Sequence, residues 1–421
     1  MLDIKYIREN VETIKQNIKN RGVKVDVDEL LFLDKKRKEI LKEAEHLRAV
    51  RKQSAKDGKP SEKEIKEMRE VGEEIKKIEK EQNELEGKYR TLLWQVPNLT
   101  HLDSPIGGEK DYKVIAKNFS PKKFNFKPKN HVEIMEDLDL VDFERGAKVA
   151  GSKFYFFKNE MVRINQALIN YGIDIATKHG YKLVETPDLA KNEILEGVGF
   201  NPRGEETQVY SIENTDLSLV GTAEITMGGY YAGEILDLEA GPKKFVALSH
   251  CFRTEAGAYG KASKGLYRVH QFTKLEMFVY CKPEDSEKIH QELLDIEREI
   301  CDGLEIPYRV IDIATGDLGG PAYRKFDIEA NMTMLGDEDV QSNYGEITST
   351  SNCTDYQARR LGIKYKTGDN INFVHTLNGT AIVLSRFPIA LLENHQRKDG
   401  SIKIPRKLRK YTKFKVIKPK K

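Results

Sequence analysis

The sequence predicts an α+β chain in two parts: an antiparallel two-helix coiled coil near the N-terminus, then a larger unit of strands and helices around a long β-hairpin. Heptad-spaced apolar residues carry the first part. An apolar run before a glycine-bearing loop and an alternating strand after it, within 245–280, carry the second. Neither a G-x-G-x-x-G fingerprint nor a P-loop lysine motif occurs, which argues against a dinucleotide fold.

At 421 residues the chain is long enough for two or three domains, and 33% charged against 39% hydrophobic residues is an ordinary soluble balance. A net charge of +3 is too small to identify a polyanionic partner. The four cysteines, Cys251, Cys281, Cys301 and Cys353, show neither C-x-x-C pairing nor a histidine at zinc spacing, so reduced buried thiols are expected. No apolar run reaches membrane-spanning length, and residues 1–6 include charges and no signal-peptide core. A cytoplasmic protein is expected.

Ile4, Ile7, Val11, Ile14 and Ile18 recur at spacings of three and four, predicting one amphipathic helix over residues 1–20 that Gly22 ends. Asp26 or Asp28 caps the next. Two long helices follow, over 28–56 and 61–96. The second carries a seam of Met68, Val71, Ile75, Ile78, Gln82, Leu85, Tyr89, Leu92 and Val96. The first keeps the rhythm at Leu30, Leu33, Ile40, Ala44 and Leu47, with Arg37 and Arg51 interrupting. Between them, residues 57–61 (DGKPS) stop one helix and restart another, with Ser61 and Glu64 placed for a capping box. Helices so joined pack antiparallel, into an arm roughly 45 Å long. Lys35, Arg37, Arg48, Arg51, Lys52 and Lys56 make the first helix basic, and Lys59 sits at the turn. Because the second helix is rich in Glu, charge alone reads as interhelical ion pairs, with RNA phosphate binding as the other reading.

Pro97 to Gly108 lacks periodicity and reads as linker, with the boundary at about 97–125. Residues 131–145 look helical up to Gly146, 152–157 look strand-like, and 160–178 form a strong amphipathic helix. Residues 179–188 follow as a strand closed by Pro187, which suits a sheet edge. Thr222 and Glu224 are placed to cap another helix. A helix over 284–302 and strands over 308–313 and 326–329 come next, then a variant loop at 334–344. Glu346 and Ser349 offer a carboxylate and a hydroxyl with no cation close in sequence, an invitation to a hard metal, or else a Ser/Thr-rich turn before the helix near Asp355. Residues 372–394 run from strand into helix, with Pro388 in the first turn and Arg386 at the junction. The tail from Lys398 is basic with little periodicity, and is expected to fray or touch RNA.

The hairpin concentrates the chemistry. On its second strand, read as 266–280, Arg268, His270, Phe272, Lys274 and Glu276 share one face. A core-facing strand would be apolar there, so this face lines a polar cleft or is a solvated ribbon with cross-strand ion pairs. Phe272 and Glu276 stand about 13 Å apart along an extended strand. A ring able to stack a base, an Arg253 able to hold a phosphate and a carboxylate able to take an ammonium or hydroxyl outline an aminoacyl-adenylate.

Residues 252–257 (FRTEAG), 265–272 (GLYRVHQF) and 274–276 (KLE) resemble motif 2 of the class II aminoacyl-tRNA synthetases, in particular the seryl-tRNA synthetases. Residues 160–188 are similar to that class's motif 1, which builds its dimer interface, and 372–394 to its motif 3. Residues 222–224 match the serine-contacting loop and 344–360 regain the family pattern. Departures are Ala330 to Met332, the 334–344 loop, and Ala381 and Ser385 where the family usually has glycines. The resemblance spans nearly the whole chain. It implies an antiparallel β-sheet catalytic domain flanked by helices over 126–421, a linker over 101–125, and a tRNA-binding arm within 1–100 with its coiled coil over 28–96. It implies ATP-dependent attachment of L-serine to tRNA(Ser), whose long variable arm the coiled coil grips, by a homodimer using ATP and Mg2+; tRNA(Sec) stays open as a further acceptor. Arg253 and Arg386 are then catalytic. The ATP site is Arg253, Thr254, Glu255, Val269, Phe272, Glu346, Ile347, Thr348, Ser349 and Arg386. The serine site is Thr222, Ala223, Glu224, Glu276, Asn378 and Thr380, and Glu346 and Ser349 reach the metal. The alternatives are a ligase charging a carrier protein, whose homologues lack the arm, and a catalytically silent RNA-binding paralogue, against which Arg253, Glu276, Glu346 and Arg386 argue.

Overall fold

The computed structural model describes residues 1–54, 61–200, 208–256, 265–337 and 340–419. Residues Met1–Leu99 and Thr100–Lys421 form two compact units.

In the first unit the single helix expected over 1–20 is two, α1 (Ile4–Glu9) and α2 (Val11–Asn20), broken at Asn10. The Asn10 side chain donates to Tyr6 O at 3.0 Å and its backbone N–H to Ile7 O at 3.4 Å. A short amide that bonds the preceding turn this way competes with the helical ladder, a signal that apolar spacing does not contain. Then come α3 (Val27–Ser54) and α4 (Glu62–Gln95). Asp26 caps α3 by accepting from Glu29 N–H at 2.9 Å, while Asp28 pairs with Lys15 at 2.8 Å. Arg37 pairs with Glu86 at 3.1 Å and Arg48 with Glu79 at 2.8 Å, which fixes the two helices as antiparallel. Ile40, Ala44, Ile75, Leu85 and Tyr89 are buried along the seam. Near its end Leu93 replaces the expected Leu92, because a straight helix drifts from a strict heptad. Arg37 is no gap in the seam: its guanidinium lies 4.4 Å from the Tyr89 ring centre. Leu2, Ile7, Ile14, Ile18, Val96 and the base of α3 and α4 complete this core. The turn at 57–60, with Lys56, Lys59 and the Glu64 side chain, lies outside the described residues.

The second unit begins in the segment read as linker, where β1 (Lys113–Asn118) forms a sheet edge. The helix expected over 131–145 is broken into α5 (His131–Asp137) and α6 (Phe143–Ala150) by Asp139 at φ +54°. Gly146 is inside α6 rather than at a helix end: a Cβ there would meet the backbone of Phe154 and Tyr155. Strand pairing in the following segment is confined to Phe156–Phe157. Then come α7 (Glu160–Lys178), β2 (Lys182–Glu185), α8 (Ala223–Gly229), β3 (Lys243–Phe252), β4 (Gln271–Cys281), α9 (Ser286–Gly303), β5 (Tyr308–Asp312), β6 (Arg324–Met332), β7 (Asn343–Asn352), α10 (Tyr356–Leu361), β8 (His375–Val383) and α11 (Phe387–His395).

One eight-stranded sheet runs in the order β1-β5-β6-β7-β8-β4-β3-β2. Every pair is antiparallel except β2 with β3 at the edge. Helix α7 packs so closely that a Cβ on Gly172 would come within 2.8 Å of Ile382 and 2.9 Å of Leu275. The tail does not fray: β9 (Ile402–Lys403) and β10 (Val416–Ile417) pair, and Ile402, Ile404, Leu408 and Ile417 join the main core. Its apolar residues are too widely spaced to show a period, yet each is buried.

Candidate active site

Strands β4, β6, β7 and β8 lie side by side in the middle of the sheet and share one polar face. That face floors a cavity of about 360 Å³. Two bulges decide which residues reach it. On β7, Ile328 stands opposite Thr348 but Glu329 opposite Glu346, so Ile347 is an extra residue. Glu346 and Ser349, three apart, therefore both line the cavity. Thr348 turns to the other side, where its hydroxyl donates to Glu297 of α9 at 2.7 Å. On β8 the extra residue is Ala381, between Thr380 opposite Glu276 and Ile382 opposite Leu275. Ala381 is fully buried in the main core, so its methyl group leaves the cavity unchanged, whereas Ser385 is on the lining.

Phe272, Lys274 and Glu276 line the cavity together. Arg268 and Val269 do so as well, but His270 does not: regular strand begins only at Gln271. The His270 ring sits 5.3 Å from Phe154, with Nδ1 3.0 Å from Arg253 O. The Arg253 guanidinium lies 5.2 Å from the Phe272 ring centre, and its Nε donates to Gly221 O at 3.2 Å. Lys274 Nζ is 2.6 Å from Glu276 Oε2, which also accepts from Thr380 Oγ1 at 3.2 Å. Thr222 caps α8 through Glu224 N–H at 3.2 Å, and Gln357 donates to Glu224 Oε1 at 2.8 Å. Burial, then the neighbouring Glu276 charge, pushes the Glu224 carboxyl up to about 7.

At the other end Arg386 Nη1 is 2.7 Å from Glu346 Oε1, with its guanidinium 4.9 Å from the Tyr267 ring centre. Glu346 is thus not without a cation, contrary to what its sequence neighbours suggest. Burial opposes its ionisation, but Arg386 and Lys325 hold it well below the usual carboxylate range. Its side chain stays 38% open to the cavity. Lys325 is 3.3 Å from Asp327, whose carboxyl burial pushes up.

The cavity therefore gathers Thr222, Glu224, Arg253, Glu255, Val269, Phe272, Glu276, Glu346, Ile347, Ser349, Asn378, Thr380 and Arg386. It leaves out Thr348, Ala223, which is buried in a second core, and Thr254, whose N–H donates to Gln208 O at 3.2 Å. Lys325, Tyr267 and Phe200 line it without having been singled out in the sequence. Lys325, Asp327 and Glu329 alternate with buried Phe326, Ile328 and Ala330, the same polar period that exposes β4. Phe200 had no such signal. Among the described residues no group of three or more His, Cys, Asp or Glu forms a metal cluster. All four cysteines are buried and free, and no described helix is long and apolar enough to cross a membrane. On the arm, Arg37 and Arg48 are engaged with Glu86 and Glu79, and Arg51 and Lys52 are exposed. Lys35 is 79% exposed.

The class II core domain of tRNA synthetases (the G, H, P, S and T group) matches residues 208–395, and the seryl-tRNA synthetase N-terminal domain matches residues 1–100. The chain is 52% identical over 422 residues to a serine–tRNA ligase of Treponema denticola, covering 98% of this chain and 99% of that one. It is 50% identical to one of Rubrobacter xylanophilus, over 100% and 99% of the two chains. Among solved structures, a seryl-tRNA synthetase from Pyrococcus horikoshii complexed with ATP superposes with a TM-score of 0.89 at 40% identity, over 100% of both chains. A cytoplasmic serine–tRNA ligase from Naegleria fowleri in complex with AMP gives 0.85 at 32%, over 100% and 99%.

Proposed function

The chain belongs to the seryl-tRNA synthetase family of class II enzymes, and we propose from that premise how its own residues divide the work. It attaches serine to tRNA through a seryl-adenylate, with ATP as substrate. The observation that carries the assignment is that Phe272, Arg253 and Glu276 line one cavity, ring, cation and acid in succession. Phe272 stacks the adenine, Val269 walls it and Glu255 reads its edge. Arg253 takes the α-phosphate and Arg386 the γ-phosphate. Glu224 and Thr222 face the serine ammonium; Glu276, Asn378 and Thr380 face its hydroxyl and surroundings.

A serine carboxylate oxygen attacks the α-phosphorus, a new O–P bond forms, and the bond to the β-phosphate breaks as pyrophosphate leaves. The nucleophile is already ionised, so no general base is needed, and the residues contribute position and charge. A ribose hydroxyl of the tRNA terminus then displaces AMP from the serine carbonyl. Loading ATP requires Arg386 to exchange Glu346 for phosphate. Glu346 and Ser349 present a carboxylate and a hydroxyl on one wall, a donor set that suits magnesium, which takes one or two protein oxygens plus phosphate oxygens. When bound there it neutralises the triphosphate.

The arm, with Lys35, Arg51 and Lys52 exposed, is the tRNA(Ser) contact, and a carrier-protein ligase without such a domain does not fit residues 1–100. Lys56, outside the described residues, extends that basic face in sequence. Domain limits are 1–100 for the tRNA-binding part and 126–421 for catalysis, with β1 of the segment between them added to the catalytic sheet. We place the dimer face on α7 and β2, where Val162 and Leu183 are 42% and 51% exposed, and the protein in the cytoplasm. ATP–pyrophosphate exchange tests the assignment: serine should support it, and exchange with another amino acid instead would overturn the specificity.

A further inference from the structure

The pair His131–Glu393 takes no part in the chemistry above, yet both side chains are fully buried. Glu393 Oε1 accepts from the His131 backbone N–H at 2.7 Å and lies 3.0 Å from His131 Nδ1. Glu393 Oε2 accepts from Met334 N–H at 3.1 Å. The other ring nitrogen, His131 Nε2, is 3.1 Å from Leu266 N. A backbone N–H only donates, so Nε2 must be the acceptor. Nδ1 then carries the proton and donates a hydrogen bond to the carboxylate, so Glu393 selects the tautomer that can receive Leu266. Met334 opens the variant loop, α11 supplies Glu393, and α5 supplies His131; three distant stretches meet on one carboxylate.

Leu266 is where the ribbon returns to the cavity. The three residues after it, Tyr267, Arg268 and Val269, are all on the cavity lining. Tyr267 donates from its hydroxyl to Glu346 O at 3.0 Å, and Arg268 Nη1 reaches Glu255 at 3.4 Å. Gly265, at φ +65°, lies flat against the His131 ring: an added Cβ would run into Nε2 and sit 2.6 Å from Val132 Cγ2.

We infer that His131 is a positioning residue for nucleotide: oriented by Glu393, it anchors Leu266 and thereby sets where Tyr267, Arg268 and Val269 meet ATP. The kinetic part rests on the adenylate assignment above. Two substitutions separate the ring's two nitrogens. His131→Asn keeps a donor near the Nδ1 position and removes the acceptor of Leu266. His131→Gln places a carbonyl near the Nε2 position and keeps that acceptor.

In full-length enzyme, His131→Asn should raise the ATP KM in serine-dependent exchange about tenfold, with serine KM and the His131→Gln values within about twofold of wild type, the scale of one lost buried hydrogen bond. Below the melting temperature, amide hydrogen exchange of residues 265–269 should quicken about tenfold in His131→Asn and not in His131→Gln. Equal KM and equal exchange in the two variants would overturn the inference, since a merely structural histidine would lower stability in both alike. Gly265→Ala presses on the same contact from the ribbon side and should reproduce the ATP effect if His131→Asn does not fold. If wild-type enzyme shows no serine-dependent turnover, the adenylate assignment falls, and the amide exchange still decides the role of His131.

Discussion

Glu276 is the residue whose surroundings say most. It is 2% exposed, 2.6 Å from a Lys274 that is itself almost buried. Removing one member of such a pair leaves the other charged and unpaired, which costs about 3–5 kcal/mol. Glu276→Ala should therefore lower urea-measured stability by that amount as well as abolish exchange. Arg253→Ala should instead leave stability nearly intact and reduce adenylate formation about 10²–10³-fold, the usual loss of one charge-stabilising donor. Glu224 carries the pH dependence. Its folded value of about 7 is above the ordinary 4.5, so the free enzyme loses stability as pH rises through that window. Glu224→Gln removes this residue's share of the loss, Asp327 and Glu297 being raised by burial as well, and its melting temperature should gain on wild type between pH 5 and pH 8. In the serine site proposed here the ionised form meets the ammonium. The wild-type serine KM should then fall as pH rises through about 7, while the Gln variant is flat with pH and about 10–100-fold weaker, the size of a charge-assisted hydrogen bond.

Elements were legible where one period ran unbroken. Helix α7 and the length of α3 and α4 followed from spacings of three and four, and the cleft-facing side of β4 from spacing of two. What failed was punctuation. Asn10 and Asp139 break helices through their own conformations, without a proline or glycine to announce it. Gly146 announced a helix end and is a packing contact. Gly146→Ala tests that distinction: alanine is the better helix former by about 1 kcal/mol, but its methyl would meet Phe154 and Tyr155, and overpacking of about 1–3 kcal/mol should win. The site was legible in its charged residues and blurred at Thr348, which regular alternation places beside Glu346 while turning Ser349 away. Lys325 was readable by the argument already applied to β4; Phe200 depends on tertiary contact alone.

For the whole molecule, the division at Leu99 separates two cores that share no described apolar cluster. Deleting residues 28–96 should spare serine-dependent exchange and remove tRNA charging; retained charging would refute the role of the arm. The tail, by contrast, is part of the catalytic unit's core, and truncation at Ile402 should cost stability because Leu408 and Ile417 leave it. The extra residue at Ile347 has a consequence for how this chain tolerates change. Because it sits between the two oxygen donors of one wall, losing a single codon there would iron the strand flat and swing either the acid or the hydroxyl behind the sheet, next to α9. A change of length at this position is therefore lethal to chemistry through the strand's alternation, over and above the loss of an isoleucine that lines the cavity and packs in the main core.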